Sequence, residues 1–346
     1  AVFLDDEVVL SCRVPVIKAE GKEITTIEGI GTLKSPHPLQ LAFAKTGAIQ
    51  CGFCTPGMII RAKSLLDRNP NPSRDEIKKA LQPHLCRCTG YQKIFEAVEL
   101  AASFLRGETK SIELKLEGKG SIGQPVTRRD ALVKATGTTR YASDIAVEDC
   151  GHIKVLRSPY HHARIVHIDK TEAEIIPGVL SVLTAGDVKG TNILKMSGDD
   201  QPILCGDKAR FIGDPVAAVV ATSEDLASYA LEKIEATYEP LEPVLTPEDA
   251  LKEGAIKVHE GRSNLLFEQP IIHGDVEKGF SDSEVVVEGT YATQAVEHAY
   301  LENDSGVAYI DENGQLVILA ASQNIHAHRK TIAEGLGLSL DQLRII

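Results

Sequence analysis

The chain lacks the features by which membrane, secreted and nucleic-acid-binding proteins are recognised. No apolar run approaches the roughly 18 residues of a membrane-spanning helix, and no basic segment followed by an apolar stretch opens the chain as a signal peptide would. Positive charge is scarce, with 37 Lys and Arg against 49 Asp and Glu and a net charge of −12, which argues against a phosphate-binding surface. Seven cysteines are an odd number, and two close pairs among them do not fit an extracellular disulfide framework. We therefore expect a cytoplasmic protein with neither a membrane nor a nucleic-acid partner.

What the chain does contain is the composition of an ordinary globular protein of more than one domain. Its 346 residues are 43% apolar and 25% charged, enough for two or three domains with their own cores. It has no initiator Met, starts inside an apparent hairpin, and stops where a strand begins. We expect a fragment truncated at both ends.

The most informative feature is a set of four cysteines in two close pairs. Two residues separate Cys51 from Cys54, and one residue separates Cys86 from Cys88. Four thiolates that can gather at one site indicate a [2Fe–2S] cluster, a [4Fe–4S] cluster or structural zinc. Structural zinc sites usually have about two to four residues between the ligands of each pair. The tighter second pair therefore favours an iron–sulfur cluster and leaves zinc as the alternative.

The cysteines lie within a segment, residues 35 to 106, that has the pattern of a small four-helix bundle. Apolar residues recur at helical spacing over His37–Lys45, Pro56 suits the first turn of a second helix, and Ser73 opens a third with a capping box. Tyr91 begins the apolar stripe of a fourth. Both cysteine pairs thus precede helices, whose free N–H groups stabilise anionic sulfur.

After a polar segment rich in Gly and Lys at 107 to 125, the pattern changes to alternating strands and helices. Strands are predicted over His152–Arg157, Arg164–Ile168, Val216–Ala221, Ile234–Tyr238, Gly306–Ile310 and Gln315–Ala320, the last two as a hairpin about Asn313-Gly314. Helices are predicted after Ser223 and from about Ile325 to Leu336.

The sequence around the cysteines resembles a known family over a long and specific motif. The runs Gly47–Met58, Pro72–Ile77 and Leu85–Tyr91 are similar to the second [2Fe–2S] domain of the molybdenum hydroxylases, the xanthine dehydrogenase and aldehyde oxidoreductase family. Downstream, Arg128–Gly137 resembles the entry into the molybdenum-binding part, and Leu156–Ile165 resembles its first α/β domain. The resemblance covers essentially the whole chain.

The resemblance implies an α+β multidomain fold, with a four-helix [2Fe–2S] domain followed by α/β molybdenum-hydroxylase domains. The implied domains are the end of a plant-type ferredoxin-like domain (1–34), the helical [2Fe–2S] domain (35–107), a linker (108–127), an α/β hammerhead domain (128–245) and the start of a molybdopterin-cofactor-binding domain (246–346).

The resemblance also implies metal ligands. Cys51, Cys54, Cys86 and Cys88 match the ligands of the cluster nearer the molybdenum. Cys12 matches the last ligand of a separate plant-type cluster, whose other three ligands are expected before the first residue of this chain. One cluster site would be complete and the other partial.

Three positions match residues that contact the molybdenum cofactor in the family. Gln50 and Cys88 match positions at the pterin, and Gln323 matches the glutamine beside the oxo group of the metal. The glutamate that acts as base is expected beyond Ile346, so no catalytic residue is expected within the chain.

The function implied is the hydroxylation of an aldehyde to a carboxylic acid, with water as the oxygen source. Electrons would leave through [2Fe–2S] clusters to an external acceptor, which could be a flavodoxin, a ferredoxin or a flavin subunit. The linker is too short for a flavin domain, so the layout resembles flavin-free, single-chain aldehyde oxidoreductases, and no flavin is expected on this chain. The intact protein is expected to be a homodimer.

Two alternatives remain open at this point. The substrate could be a purine, xanthine or another N-heterocycle, processed by the same chemistry. The chain could also be a non-catalytic electron-transfer module or a zinc-stabilised binding domain, which a visible spectrum would separate because zinc is colourless.

Overall fold

The chain divides into two compact units in a computed structural model that describes residues 1–115, 122–195, 198 and 200–346. The first unit comprises Ala1–Ile145 together with Tyr291–Asp304, and the second comprises Ala146–Thr290 with Ser305–Ile346. Both contain helices and strands, so the expected α+β multidomain class is confirmed.

The first unit starts with a small antiparallel sheet. Its strands are β1 (Val2–Leu4), β2 (Glu7–Val9) and β3 (Ile24–Thr25), in the order β2-β1-β3. The tight turn between β1 and β2 places Asp5 in the left-handed region, at φ 52°, which short polar residues tolerate better than most. This is the hairpin expected at the start of the chain.

Six α-helices follow among the described residues of this unit, and four of them form the predicted bundle. They are α1 (Ile27–Ile30), α2 (Pro38–Thr46), α3 (Thr55–Arg68), α4 (Arg74–Leu81), α5 (Gln92–Leu105) and α6 (Ala131–Ala135). The capping box predicted at Ser73 is present, because its hydroxyl accepts from the N–H of Glu76 and its own N–H donates to that carboxylate. The bundle core is made of fully buried apolar side chains, among them Phe43, Met58 and Ile94.

The start of the predicted hammerhead domain belongs to the first unit. In α2 the buried amide of Gln40 donates to the carbonyl of Ala135 in α6, at 3.2 Å. The two compact units divide after Ile145, and the domain bounds implied by the family resemblance remain a prediction. The predicted linker 108–127 includes residues 116–121, which lie outside the described residues. On either side of them, the N–H of Thr127 donates to the carbonyl of Lys115 at 2.7 Å, and Ile112 packs into the helical core.

The second unit contains two three-stranded antiparallel sheets. Its elements, in chain order, are β4 (His152–Arg157), β5 (Ala163–Asp169), α7 (Thr171–Glu174), β6 (Val179–Leu183), β7 (Lys208–Ala209), β8 (Pro215–Ala221), α8 (Glu224–Leu231), β9 (Glu235–Pro240), α9 (Pro247–Leu251) and α10 (Val276–Asp282). The sheet orders are β4-β8-β6 and β7-β5-β9. The central strand β8 is almost wholly Val and Ala and is largely buried, because α8 packs against it.

The unit ends in a third small sheet. Strands β10 (Gly306–Ile310) and β11 (Leu316–Ala320) form the predicted hairpin, helix α11 (Ile325–Leu336) follows, and β12 (Leu343–Ile345) pairs parallel to β11. Among the helices of the described residues, none is long and apolar enough to cross a membrane.

Candidate iron–sulfur site

The two cysteine pairs lie on loops that lead into helices of the bundle. Cys54 is the residue that immediately precedes α3, and Cys51 lies in the short turn between α2 and α3. Cys86 and Cys88 lie between α4 and α5. Gly90 and Tyr91 both have positive φ, at 66°, and this reverses the chain direction before α5 begins.

Sulfurs of the two loops meet each other. The Sγ atoms of Cys51 and Cys88 are 3.6 Å apart, and Cys54 and Cys86 are close enough to shift each other's pKa. Two thiolates on one tetrahedral metal ion with bonds of about 2.3 Å lie about 3.8 Å apart. The Cys51–Cys88 pair is therefore spaced like the two ligands of one iron. A [2Fe–2S] cluster needs a second such pair, for which Cys54 and Cys86 remain.

All four cysteines are free thiols at the edge of the bundle core. Cys86 is buried and the other three are half-buried. No group of three or more His, Cys, Asp and Glu side chains in the described part of the chain is close enough to hold a single metal ion. Two observations support a cluster. Sulfurs of the two loops lie close together, and the four thiolates are soft ligands of the kind that bind iron–sulfur clusters.

The surroundings shift the pKa values of the cysteine thiols in different directions. Burial, reinforced by the neighbouring Cys86, raises the pKa of the Cys54 thiol far above its usual range. Burial also opposes ionisation of Cys86, but hydrogen bonds from Thr89 and from the backbone outweigh it and lower its pKa. The pKa of Cys88 is raised by burial and by its contact with Cys51. The pocket therefore favours a thiolate at Cys86, and metal binding would have to displace protons from its neighbours.

Short-range hydrogen bonds hold the second loop in shape. The hydroxyl of Thr89 lies 3.1 Å from the sulfur of Cys86, and the N–H of Cys86 donates to the phenol oxygen of Tyr91 at 2.8 Å. Both partners belong to the same short run of sequence. The loop is consequently fixed by its own residues.

The first loop is held from a distant part of the chain. The phenol of Tyr141 donates to the carbonyl of Cys51 at 3.0 Å, and the ammonium of Lys134 donates to the carbonyl of Gln50 at 3.1 Å. The ring of Phe53 also meets Tyr141 edge-on, with centroids 5.4 Å apart. These contacts come from the segment that contains α6, which the sequence associates with the next domain. Lys134 lies in the run Arg128–Gly137 and Tyr141 lies four residues after it, but nothing in the sequence pattern indicated that they would contact the cysteine loop.

The remaining predicted site residues lie elsewhere. Cys12 is exposed in a 3-10 turn after β2, and the side chain of Gln50 is exposed beside the first cysteine loop. Gln323 is exposed just before α11 in the second unit. The contacts with the molybdenum cofactor expected of Gln50, Cys88 and Gln323 remain predictions.

Arg87, between the two cysteines of the second loop, contacts a segment far along the chain. Its guanidinium donates from Nε to the carbonyl of His298 at 2.8 Å and from Nη2 to the carbonyl of Glu297 at 2.7 Å. Glu297 and His298 accept these bonds through their backbone carbonyls. The ligand loop is thereby fastened to the returning segment 291–304.

Comparison with protein-family models finds three successive matches. Residues 26–99 match a [2Fe-2S] binding domain, residues 136–242 match the a/b hammerhead domain of aldehyde oxidase and xanthine dehydrogenase, and residues 258–346 match a molybdopterin cofactor-binding domain. The first match contains all four paired cysteines.

Similar proteins and similar solved structures point to the same family as the three domain matches. The chain is 39% identical to the aldehyde oxidoreductase of Megalodesulfovibrio gigas over 100% of its own length and 40% of the relative. It is 28% identical to the probable hypoxanthine oxidase XdhD of Escherichia coli K12, over 100% of the chain and 41% of that protein. The solved aldehyde oxidoreductase of Desulfovibrio desulfuricans ATCC 27774 superposes with a TM-score of 0.84 at 39% identity, again over 100% of this chain and 40% of that one.

An iron–sulfur domain followed by hammerhead and molybdopterin-binding domains defines a class of metal-dependent oxidoreductases. The chain belongs to the molybdenum hydroxylase family, as the sequence motif predicted. The family match decides between the two metals that the cysteine spacing left open, in favour of [2Fe–2S] over zinc. The chain spans about 40% of the length of the aldehyde oxidoreductases that it matches.

Proposed function

We propose that the protein oxidises an aldehyde to the carboxylic acid, taking the oxygen from water and passing the electrons out through iron–sulfur clusters. One aldehyde and one water give one acid, two protons and two electrons. When bound, the molybdenum–pterin cofactor would supply the two-electron chemistry, and a [2Fe–2S] cluster would accept the electrons one at a time. The base glutamate belongs to the part of the family sequence expected beyond Ile346.

The observation that carries the proposal is the cross-loop pairing of the four sulfurs. We assign Cys51 and Cys88 to one iron, because their sulfurs are in direct contact, and Cys54 and Cys86, which shift each other's pKa, to the other. This chain's own groups prepare the site. Thr89 stabilises the thiolate of Cys86, and the half-buried position of the loops limits access of water to the sulfurs.

Four further assignments follow from the family motif. Cys12 is proposed as the last ligand of a second, outer cluster, and its exposure after β2 leaves it accessible to other ligands. Gln50 and Cys88 are proposed as contacts of the pterin, and Gln323 as a neighbour of the metal. The adjacency of Gln50 to Cys51 supports a short path between pterin and cluster.

An aldehyde is the favoured substrate because identity to an aldehyde oxidoreductase is 39% across the whole chain, against 28% to a probable hypoxanthine oxidase. An N-heterocycle is the second candidate. It is supported by 37% identity to the large molybdopterin subunit of nicotinate dehydrogenase from Eubacterium barkeri, over 65% of the chain and 53% of that protein.

The proposed setting is a homodimer in the cytoplasm that hands electrons to a flavodoxin, a ferredoxin or a flavin subunit. It rests on the short predicted linker, which leaves no length for a flavin domain on the chain. It rests also on cysteines that are all free thiols. No flavin is expected to copurify with the polypeptide.

The test is steady-state turnover of the full-length enzyme with an artificial acceptor dye, using an aldehyde series beside hypoxanthine and nicotinate. We expect acid formation from aldehydes, with the acid oxygen labelled in ¹⁸O-water. Turnover of the heterocycles with none of the aldehydes would replace the favoured substrate by the second candidate. A colourless, iron-free protein after anaerobic reconstitution would overturn the cluster itself.

A further inference from the structure

A buried lysine lies against the first cysteine loop. Lys134, in α6, is only 9% exposed, although lysines are almost never buried without a partner. Its ammonium donates to the carbonyl of Gln50, the residue before Cys51, at 3.1 Å. A positive charge is thereby held beside the loop that carries two of the four sulfurs.

The methylene groups of Lys134 also lie close to the first cysteine loop. Gly52, between the two cysteines, has φ +89°, and a Cβ added there would lie 2.7 Å from the Cδ of Lys134. Only a glycine allows both this backbone conformation and the close passage of the lysine stem. The approach of Lys134 is therefore built into the loop.

One carboxylate holds the ammonium from the other side. Asp130, one helical turn earlier, lies 2.9 Å from the Lys134 ammonium and also receives two hydrogen bonds from Arg128, at 2.5 and 2.9 Å. Burial would favour the neutral acid, but these two cations outweigh it and lower the pKa of Asp130 to about 2. The Asp130 carboxyl thus stays ionised at neutral pH, and together with the Lys134 ammonium and the Arg128 guanidinium it leaves a net charge of +1 beside the loop.

A positive charge at this place matters because a [2Fe–2S] cluster with four thiolates gains negative charge on reduction. Its total charge changes from −2 to −3 when one electron is added, counting ferric and ferrous iron, two sulfides and four thiolates. Net charge and burial are among the factors that set the reduction potential of such clusters. Charges in a partly buried site are screened less than charges in water.

We propose that Lys134 is a positioning residue that raises the reduction potential of the cluster held by Cys51, Cys54, Cys86 and Cys88, with Asp130 as the counter-charge that limits the effect. The inference rests on the proposed cluster. Lys134 acts through its charge and through its hold on the Gln50 carbonyl, without contacting a sulfur. Through Lys134, the segment that contains α6 would therefore influence the reduction potential of the cluster.

The experiment is a dye-mediated redox titration of the full chain, reconstituted anaerobically with iron and sulfide and followed by the electron paramagnetic resonance signal of the reduced cluster. The variants are Lys134→Met, Lys134→Arg and Asp130→Asn. Lys63→Met is the matched control, because Lys63 forms an i,i+4 ion pair with Asp67 in α3 of the same unit, about 13 Å along the helix from Cys54.

We expect opposite shifts from the two partners of the ion pair. Lys134→Met should lower the midpoint potential and Asp130→Asn should raise it. Each should change the ratio of reduced to oxidised cluster at fixed applied potential by about tenfold, which is about 59 mV for one electron. Lys134→Arg should stay close to the wild type, and Lys63→Met should not shift the potential.

A merely structural role would move both variants in the same direction, because either substitution would loosen the loop. Shifts of equal sign, or a Lys134→Met potential equal to that of Lys63→Met, would overturn the inference. If Lys134→Met fails to retain iron, the other two variants still test the effect of charge: the potential should rise in Asp130→Asn and stay close to the wild type in Lys134→Arg. A wild-type chain that takes up no iron would instead remove the proposed function, and the iron assay separates that result from an unshifted potential.

Discussion

Cys51 and Cys88 are 37 positions apart in the chain, and their sulfurs lie 3.6 Å from each other. Sulfurs from two different loops thus lie in contact. Each loop contributes one ligand to each half of the proposed cluster, so the cluster would bridge the loops before α3 and α5. Metal binding would then stabilise the packing of these two helices, since it joins segments that come together only in the folded protein.

Replacing one member of a spatial pair should release the cluster. Cys88→Ser and Cys54→Ser are expected to lose most of the iron and the visible absorption, because either change leaves one iron with a single cysteine ligand. The measurement is iron and sulfide per chain after anaerobic reconstitution, with about two irons expected for the wild type. Cys12→Ser and Cys150→Ser are the controls. Four irons per chain in the wild type, or unchanged iron in Cys88→Ser, would contradict the assignment.

Gly52→Ala should destabilise the first unit more than Gly107→Ala, which replaces another glycine with positive φ. Gly107 also has positive φ, at +81°, but nothing lies within 4 Å of a Cβ added there, whereas Gly52 faces the stem of Lys134. Gly52→Ala should therefore cost about 1–3 kcal/mol more than Gly107→Ala in the free energy of unfolding. Urea denaturation followed by circular dichroism measures the difference, and equal costs would show that the contact with Lys134 carries no strain.

Arg87→Lys should loosen the segment that returns to the cysteine loop. A lysine keeps the charge but cannot make the two parallel hydrogen bonds to the carbonyls of Glu297 and His298. Cleavage within residues 291–304 by a protease in limiting amount should accelerate by about tenfold, which corresponds to about 1.4 kcal/mol of local stability. Arg74→Lys is the control, because it likewise removes a pair of parallel hydrogen bonds, those from the Arg74 guanidinium to the Glu99 carboxylate. Equal protection of 291–304 in both variants would exclude this role of Arg87.

Cys205 should make the protein less stable in alkali. Burial, with the nearby Asp214, raises the pKa of its thiol from 9.0 to about 12 in the folded state. Between these values the unfolded chain has lost the proton and the folded chain has kept it. The free energy of unfolding therefore falls as the pH rises through this window. Cys205→Ala should flatten the decline between pH 9 and 12, and Cys150→Ala should not. Parallel profiles for Cys205→Ala and the wild type would refute the assignment.

Much of the fold could be predicted because its signals are local. The capping box at Ser73, the turn at Asn313-Gly314 and the bounds of α11 depend on residues within a few positions of one another, and the structure has them where the sequence indicates. The family motif around the cysteines is equally local, and it was enough to predict the three domain types that the family models match.

What only the tertiary structure decided are contacts between residues far apart in sequence. Spacing alone indicates that four thiolates can gather at one site, but it does not indicate that Cys51 and Cys88 lie against each other, which helix packing decides. Lys134 contacts the carbonyl of Gln50 across 84 positions, and Arg87 contacts segment 291–304 across 210. Helical periodicity and caps are set by neighbours along the chain. The ligand pairs and the charge beside them are set by how α2, α3, α5 and α6 pack, which no short motif encodes.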